Sequence, residues 1–175
     1  MCPTDCRRPL RALWTAAVLM PALLATAPLN AAPARLAVVD IAFTDSSGEA
    51  RDQTARHAER QRALTQALLQ AVAADGALDT VRLACGEGCS LDADGIAALR
   101  ERAREAGAGL VLVGKVHKMS TLVMSMRLAV LDTATGTLVL ERLLSFRGDN
   151  DDGWRHAGDY AAREVIETVG TAPAK

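Results

Sequence analysis

Residues 110–147 read LVLVGKVHKMSTLVMSMRLAVLDTATGTLVLERLLSFR. Leu110 to Val116 is a short apolar run rich in β-branched residues, the pattern of a strand buried on both faces. Gly114 inside that run points to a bulge or a close backbone approach. Leu122, Met124, Met126, Leu128 and Val130 then alternate with Val123, Ser125, Arg127, Ala129 and Leu131. That period of two predicts a strand with one drier face. Asp132-Thr133-Ala134-Thr135-Gly136 is a turn, with Gly136 supplying the positive φ that a hairpin needs. Leu138 to Phe146 is the returning strand. Three strands joined by short turns make an antiparallel meander.

The chain before the meander alternates strand with helix. Leu36 to Phe43 reads as a buried strand and Thr44 to Glu49 as a loop. A helix is expected from about Asp52 to Ala74. Its inner stripe is Leu64, Leu68, Leu69 and Val72; Arg56, Glu59, Arg60 and Arg62 load the other side. Gly76 suits its left-handed cap. Thr80 to Ala84 is a short strand, and a second helix covers roughly Asp92 to Ala106, closed by Gly107. After the meander, Asn150, Asp151 and Asp152 suit the start of a last helix, as cap and as charge against its dipole. The order is β-α-β-α-β-β-β-α. It predicts a two-layer α/β fold, a mixed sheet with helices packed on it, in a single domain over residues 32–170. Residues 171–175 are expected to be a disordered tail.

The first 31 residues read as an address. Arg7, Arg8 and Arg11 precede an apolar stretch from Ala12 to about Ala27, broken by Pro21, and small residues follow. This is the composition of a secretory signal peptide, with cleavage expected after Ala31. A membrane span wants about 20 apolar residues, so no stable span is expected once the signal is removed. Cleavage takes three basic residues and one acid from totals of 20 and 21, leaving 17 and 20, a net charge of −3. An acidic chain is a poor nucleic-acid partner, since that binding rests on Lys and Arg neutralising phosphates. With 3% aromatic residues there is also no stacking platform for single strands.

Cys2 and Cys6 leave with the signal, while Cys85 and Cys89 stay and enter an oxidising compartment. An even pair so close reads first as a local disulfide, with Gly86 and Gly88 freeing the backbone between. The alternatives are a redox-active pair or half of a metal site. A redox pair usually has two intervening residues, and here there are three. No second ligand pair is spaced for zinc, so neither metal nor cofactor is expected.

Four residues are candidates for binding. Asp40 stands near the end of the first strand, where α/β folds often place functional groups. Lys115 and His117 share one strand face by period two and suit an anion, against the plainer reading of a solvated strand end together with Lys118. Trp154 reads mainly as a core anchor, with a partner contact as the other reading. No serine sits in an elbow such as G-x-S-x-G, and no glycine-rich phosphate loop follows a strand. No catalytic residues are assigned, and a non-enzymatic role is preferred.

Several blocks carry a resemblance. They are Ala37-Val38-Val39-Asp40-Ile41, Thr44-Asp45-Ser46-Ser47-Gly48, Leu110 through Ser120, Asp132 through Gly136, and Arg147-Gly148-Asp149-Asn150-Asp151-Asp152-Gly153-Trp154. In this order they resemble a family of small secreted bacterial proteins of unknown function. That family also has two close cysteines before its second helix, spaced by two residues rather than three. More loosely, the strand and helix order is similar to the amino-terminal domain of the periplasmic protein TolB. The resemblance implies a periplasmic accessory of the cell envelope that binds another envelope protein or a ligand. Its alternative is a redox or metal-dependent accessory using the Cys85–Cys89 loop, linked to periplasmic quinoprotein alcohol oxidation.

Overall fold

A computed structural model describes residues 33–85 and 89–170. The expected signal peptide, the expected tail, and Gly86 and Gly88 lie outside the described residues. The elements are β1 (Ala34–Val39), β2 (Ala42–Asp45), α1 (Thr54–Asp75), β3 (Leu78–Leu83), α2 (Ala93–Glu105), β4 (Leu110–Lys118), β5 (Val123–Asp132), β6 (Leu138–Arg147) and α3 (Asp151–Val165). A π-helical turn, Ile166–Gly170, continues α3. The sheet runs β3-β1-β4-β5-β6, with β2 also paired to β4. β1 is parallel to β3 and β4, while β4, β5 and β6 form the antiparallel meander. This is the expected mixed sheet with helices packed on it.

The run expected as one strand from Leu36 to Phe43 is divided. Val38 pairs with Leu112, yet Ala42 pairs with Lys115, so one extra residue is accommodated on the β1–β2 side. The break falls at Asp40 and Ile41. The Ile41 backbone is served by α1 instead of the ladder: its N–H donates to Thr65 Oγ1 (3.1 Å) and its carbonyl accepts from Gln61 Nε2 (2.8 Å). Gly114 lies opposite, and a Cβ there would stand 2.7 Å from Ile41 Cδ1. The glycine therefore marks a bulge in the neighbouring chain and a close approach at once. Beyond the bulge β2 takes in Thr44 and Asp45, which the composition had suggested were loop.

Crossover direction decides which face each helix covers. β1 to β3 through α1 runs one way across the sheet, and β3 to β4 through α2 runs the other. Both connections are right-handed only if the two helices lie on opposite faces. The core divides accordingly. On one side Leu36, Val38, Leu112, Met126 and Leu128 pack with Leu68 of α1 and Trp154, Ala161 and Val165 of α3. On the other side Ala37, Val39, Val111 and Val113 pack with Leu99 and Ala103 of α2. Helix α2 has 13 residues against 22 in α1, and it leaves much of the second face of β5 and β6 uncovered. The caps follow the sequence: Gly76 is left-handed (φ 80°), Asn150 accepts from Gly153 N–H (2.8 Å), and Asp92 accepts from Gly95 N–H (2.8 Å).

Candidate functional site

Period two along β4 sends Lys118 and Val116 to one face and Lys115 and His117 to the other. Lys118 is fully buried at the end of the strand. This corrects the reading of a solvated strand end for Lys118, though Lys115 is exposed: at this end β4 lies between β2 and β5 and has no edge to protect. The Lys118 ammonium donates to Glu49 Oε2 (2.6 Å) and pairs with Asp149 Oδ2 (2.7 Å), with Asp45 Oδ2 at 3.8 Å. Burial alone would lower its pKa, and the Asp149 and Glu49 carboxylates more than offset that, leaving it raised.

Asp149 is the centre of this network. Besides Lys118 it accepts from His57 Nε2 (2.8 Å), Arg60 Nη1 (2.9 Å) and Trp154 Nε1 (3.2 Å). An ionised carboxylate only accepts, so His57 carries its proton on Nε2. Burial raises the Asp149 carboxyl, and Lys118, His57 and Trp154 outweigh it, bringing the pKa down to about 2. A carboxylate so weakly basic, with four donors on it, has neither the affinity nor a free lone pair for a substrate proton. Its work is to tie the β6–α3 loop to β4 and α1. Three of the four aromatics beyond residue 31 gather over it: Trp154 lies 5.6 Å from Phe43 and 6.5 Å from Phe146, and His57 lies 4.4 Å from Phe43, between ring centroids. Trp154 is 3% exposed and packs as a core anchor, the first of its two readings.

Asp40 sits at the bulge, away from this network. Its carboxylate accepts from Arg82 Nε (2.6 Å) and from Cys85 N–H (3.2 Å). Burial pushes its pKa up, and Arg82 and the Cys85 amide pull it further down, so it is lowered. A disulfide joins Cys85 and Cys89, with Cα atoms 5.1 Å apart. Both cysteines pack against the core under α2. Arg102 closes the loop from α2 by donating to the Ala84 carbonyl (2.7 Å). Among the described residues no cluster of three metal-ligating side chains forms, and no helix is long and apolar enough to cross a membrane.

Lys115 and His117 lie on the uncovered face. Register places them in two rows. Lys115 pairs with Arg127, which pairs with Leu143; His117 pairs with Ser125, which pairs with Ser145. The rows border a cleft of about 570 Å³ between α2 and strands β4–β6, walled by Leu91, Ile96, Val113 and Leu131. His117 Nε2 is 2.7 Å from Ser46 Oγ. A serine–imidazole pair has the start of a nucleophile–base geometry, yet among the described residues no carboxylate orients the ring, and a triad needs one. Among the described residues Lys115 has no charged or hydrogen-bonding partner, and Arg127 has only Glu141 at 4.0 Å. The expected candidates therefore separate: Lys115 and His117 share the cleft, Asp40 stands by the disulfide, and Trp154 is core. Missing from the candidates were Arg127 and Ser125, which strand register alone brings beside Lys115 and His117.

Residues 34–166 match the family described as "Protein of unknown function (DUF2380)", and the chain belongs to that family. No curated protein matches the sequence. Among solved structures, the chain is similar to a PelC dodecamer from Paraburkholderia phytofirmans. Identity is 18%, coverage is 83% of this chain and 93% of that one, and the TM-score is 0.52. It is also similar to TolB from Acinetobacter baumannii, at 13% identity over 81% of this chain and 29% of that one, with a TM-score of 0.48. A lipoprotein from Neisseria meningitidis matches at 15% identity over 81% of this chain and all (100%) of that one, with a TM-score of 0.40. At 18% identity the likeness to the PelC chain is one of fold.

Proposed function

We propose that this chain is an exported, non-enzymatic accessory protein of the bacterial cell envelope, and that it binds through the uncovered face of β4–β6. The observation that carries the reading is the contrast between the two sheet faces. One is sealed by α1 and α3, and its polar groups are paired in the Asp149 network. The other keeps Lys115 and Arg127 side by side, with Leu143 64% exposed next to them. Like charges directly across two strands are unfavourable, and among the described residues the one carboxylate beside them, Glu141, reaches only Arg127, at 4.0 Å. Export is supported by the N-terminal composition, and an oxidising compartment suits the Cys85–Cys89 disulfide.

The test is a paired capture from periplasmic extract with the wild-type protein and a Lys115→Glu/Arg127→Glu variant. Both residues are exposed, so the variant is expected to melt within a few degrees of wild type. A component retained by the wild type and lost by the folded variant supports the reading. Identical retention by both proteins removes this face as the binding surface.

A further inference from the structure

Resting on that reading, we infer that the cleft between α2 and β4–β6 takes a single acyl-chain carboxylate, its head at Lys115 and Arg127 and its chain beneath α2. The first observation is a cost. Lys115 and Arg127 are direct cross-strand partners on one face. Like charges placed so are mutually destabilising. Glu141 reaches only Arg127, at 4.0 Å, and among the described residues nothing neutralises Lys115. An anion bound between the two side chains removes the repulsion and gains charge-assisted hydrogen bonds from both.

The second observation is the order of chemistry along the strands. Beyond the cationic row stand His117 and Ser125, which add polar groups around the head. In the opposite direction the lining becomes Val113 with Ala129, then Leu131, and Leu91 and Ile96 wall the cleft there; Glu141, paired with Ala129 on β6, stands outside that wall. Along β4 and β5 the cleft lining therefore passes from polar to apolar toward α2. Arg127 to Leu131, both lining the cleft, is four strand steps, or about 13 Å, which suits an extended acyl chain. A volume of about 570 Å³ is also that of a small-ligand site. A membrane surface meets the cations but cannot lay its chains under the α2 wall, so a free amphiphile is the occupant that uses both ends of the cleft.

The experiment titrates the purified protein with dodecanoate below its micelle concentration by calorimetry. Parallel titrations use octanoate, inorganic phosphate, an uncharged dodecyl glycoside and phosphatidylglycerol vesicles. Dodecanoate is expected to bind one to one, octanoate more weakly, and phosphate and the glycoside at least about tenfold more weakly. Lys115→Ala/Arg127→Ala weakens dodecanoate by about tenfold or more, as loss of charged hydrogen bonds requires. Without ligand, Lys115→Ala melts no lower than wild type, because it relieves a repulsion. Absence of dodecanoate binding, equal binding by the double alanine variant, or binding to vesicles without binding to free dodecanoate overturns the inference. If dodecanoate fails while Lys115→Glu/Arg127→Glu still loses its captured component, only the ligand class falls. If both experiments are silent, the binding face itself falls.

Discussion

Asp149 holds four donors and has a pKa of about 2, against about 3.9 for an unfolded aspartate. A folded-state pKa below the unfolded one contributes stability that is fully present above the unfolded value. It is lost as pH falls through the folded value. The window is therefore from about pH 4 down to about 2. Asp149→Asn keeps the shape and removes the charge, leaving the buried Lys118 short of one partner. Loss of about 3 kcal/mol is expected at neutral pH, as when one member of a buried ion pair is removed. Urea midpoints measured across the acid range check the assignment: the variant's decline below pH 4 is shallower than wild type, and parallel declines sink it. Little of this network was legible beforehand. Lys118 shares its face with Val116, so parity already pointed it inward, but charge at a strand end outweighed parity. Arg60 was placed with the solvated side of α1, and its carboxylate partners Asp149 and Asp151 lie about ninety positions away in sequence.

Element boundaries were legible wherever a local signal exists. The period of two in β5, the Gly136 turn, the Gly76 cap and the Asn150 cap all stand where the sequence puts them. The division of β1 from β2 was not, because a bulge shows itself only as a change of register against β4. Its trace is Gly114, whose missing side chain is the room that Ile41 occupies. Gly114→Ala places a methyl group 2.7 Å from Ile41 Cδ1, and Ile41 is 1% exposed, with little space to retreat into. Destabilisation of about 1–2 kcal/mol is expected, the range for overpacking a filled core. Ile41→Val removes that terminal methyl. In the alanine background it is expected to cost less than in the wild type, or to restore stability. Denaturation midpoints of the four proteins in the cycle decide this, and strict additivity contradicts the contact.

For the whole molecule, alternation of strand and helix announced a mixed sheet, but not which helix covers which face. That depends on strand order, since opposed crossovers force α1 and α2 apart. The consequence bears on the proposed binding face. With α1 and α3 on one side and the shorter α2 on the other, part of the sheet is left as surface, and Lys115 and His117 fall on it. Charge distribution carries the same asymmetry. Beyond residue 31 the chain is net −3, yet its uncovered face presents Lys115 and Arg127 in one row and Arg147 two rows on, against, among the described residues, the single carboxylate of Glu141. Such a patch on an acidic protein favours a discrete anionic ligand over a polyanion, which the remaining field repels. The proposed ligand also has to be met in the right compartment, and here the N-terminal region decides. Full-length protein expressed in a Gram-negative host is expected in the periplasmic fraction, with a new N-terminus at Ala32 by Edman sequencing. Replacing Leu19 and Leu23 by Arg breaks the apolar stretch and keeps the chain in the cytoplasm with Met1 uncleaved. Cytoplasmic wild-type protein with an intact N-terminus rules out export, and with it the envelope role.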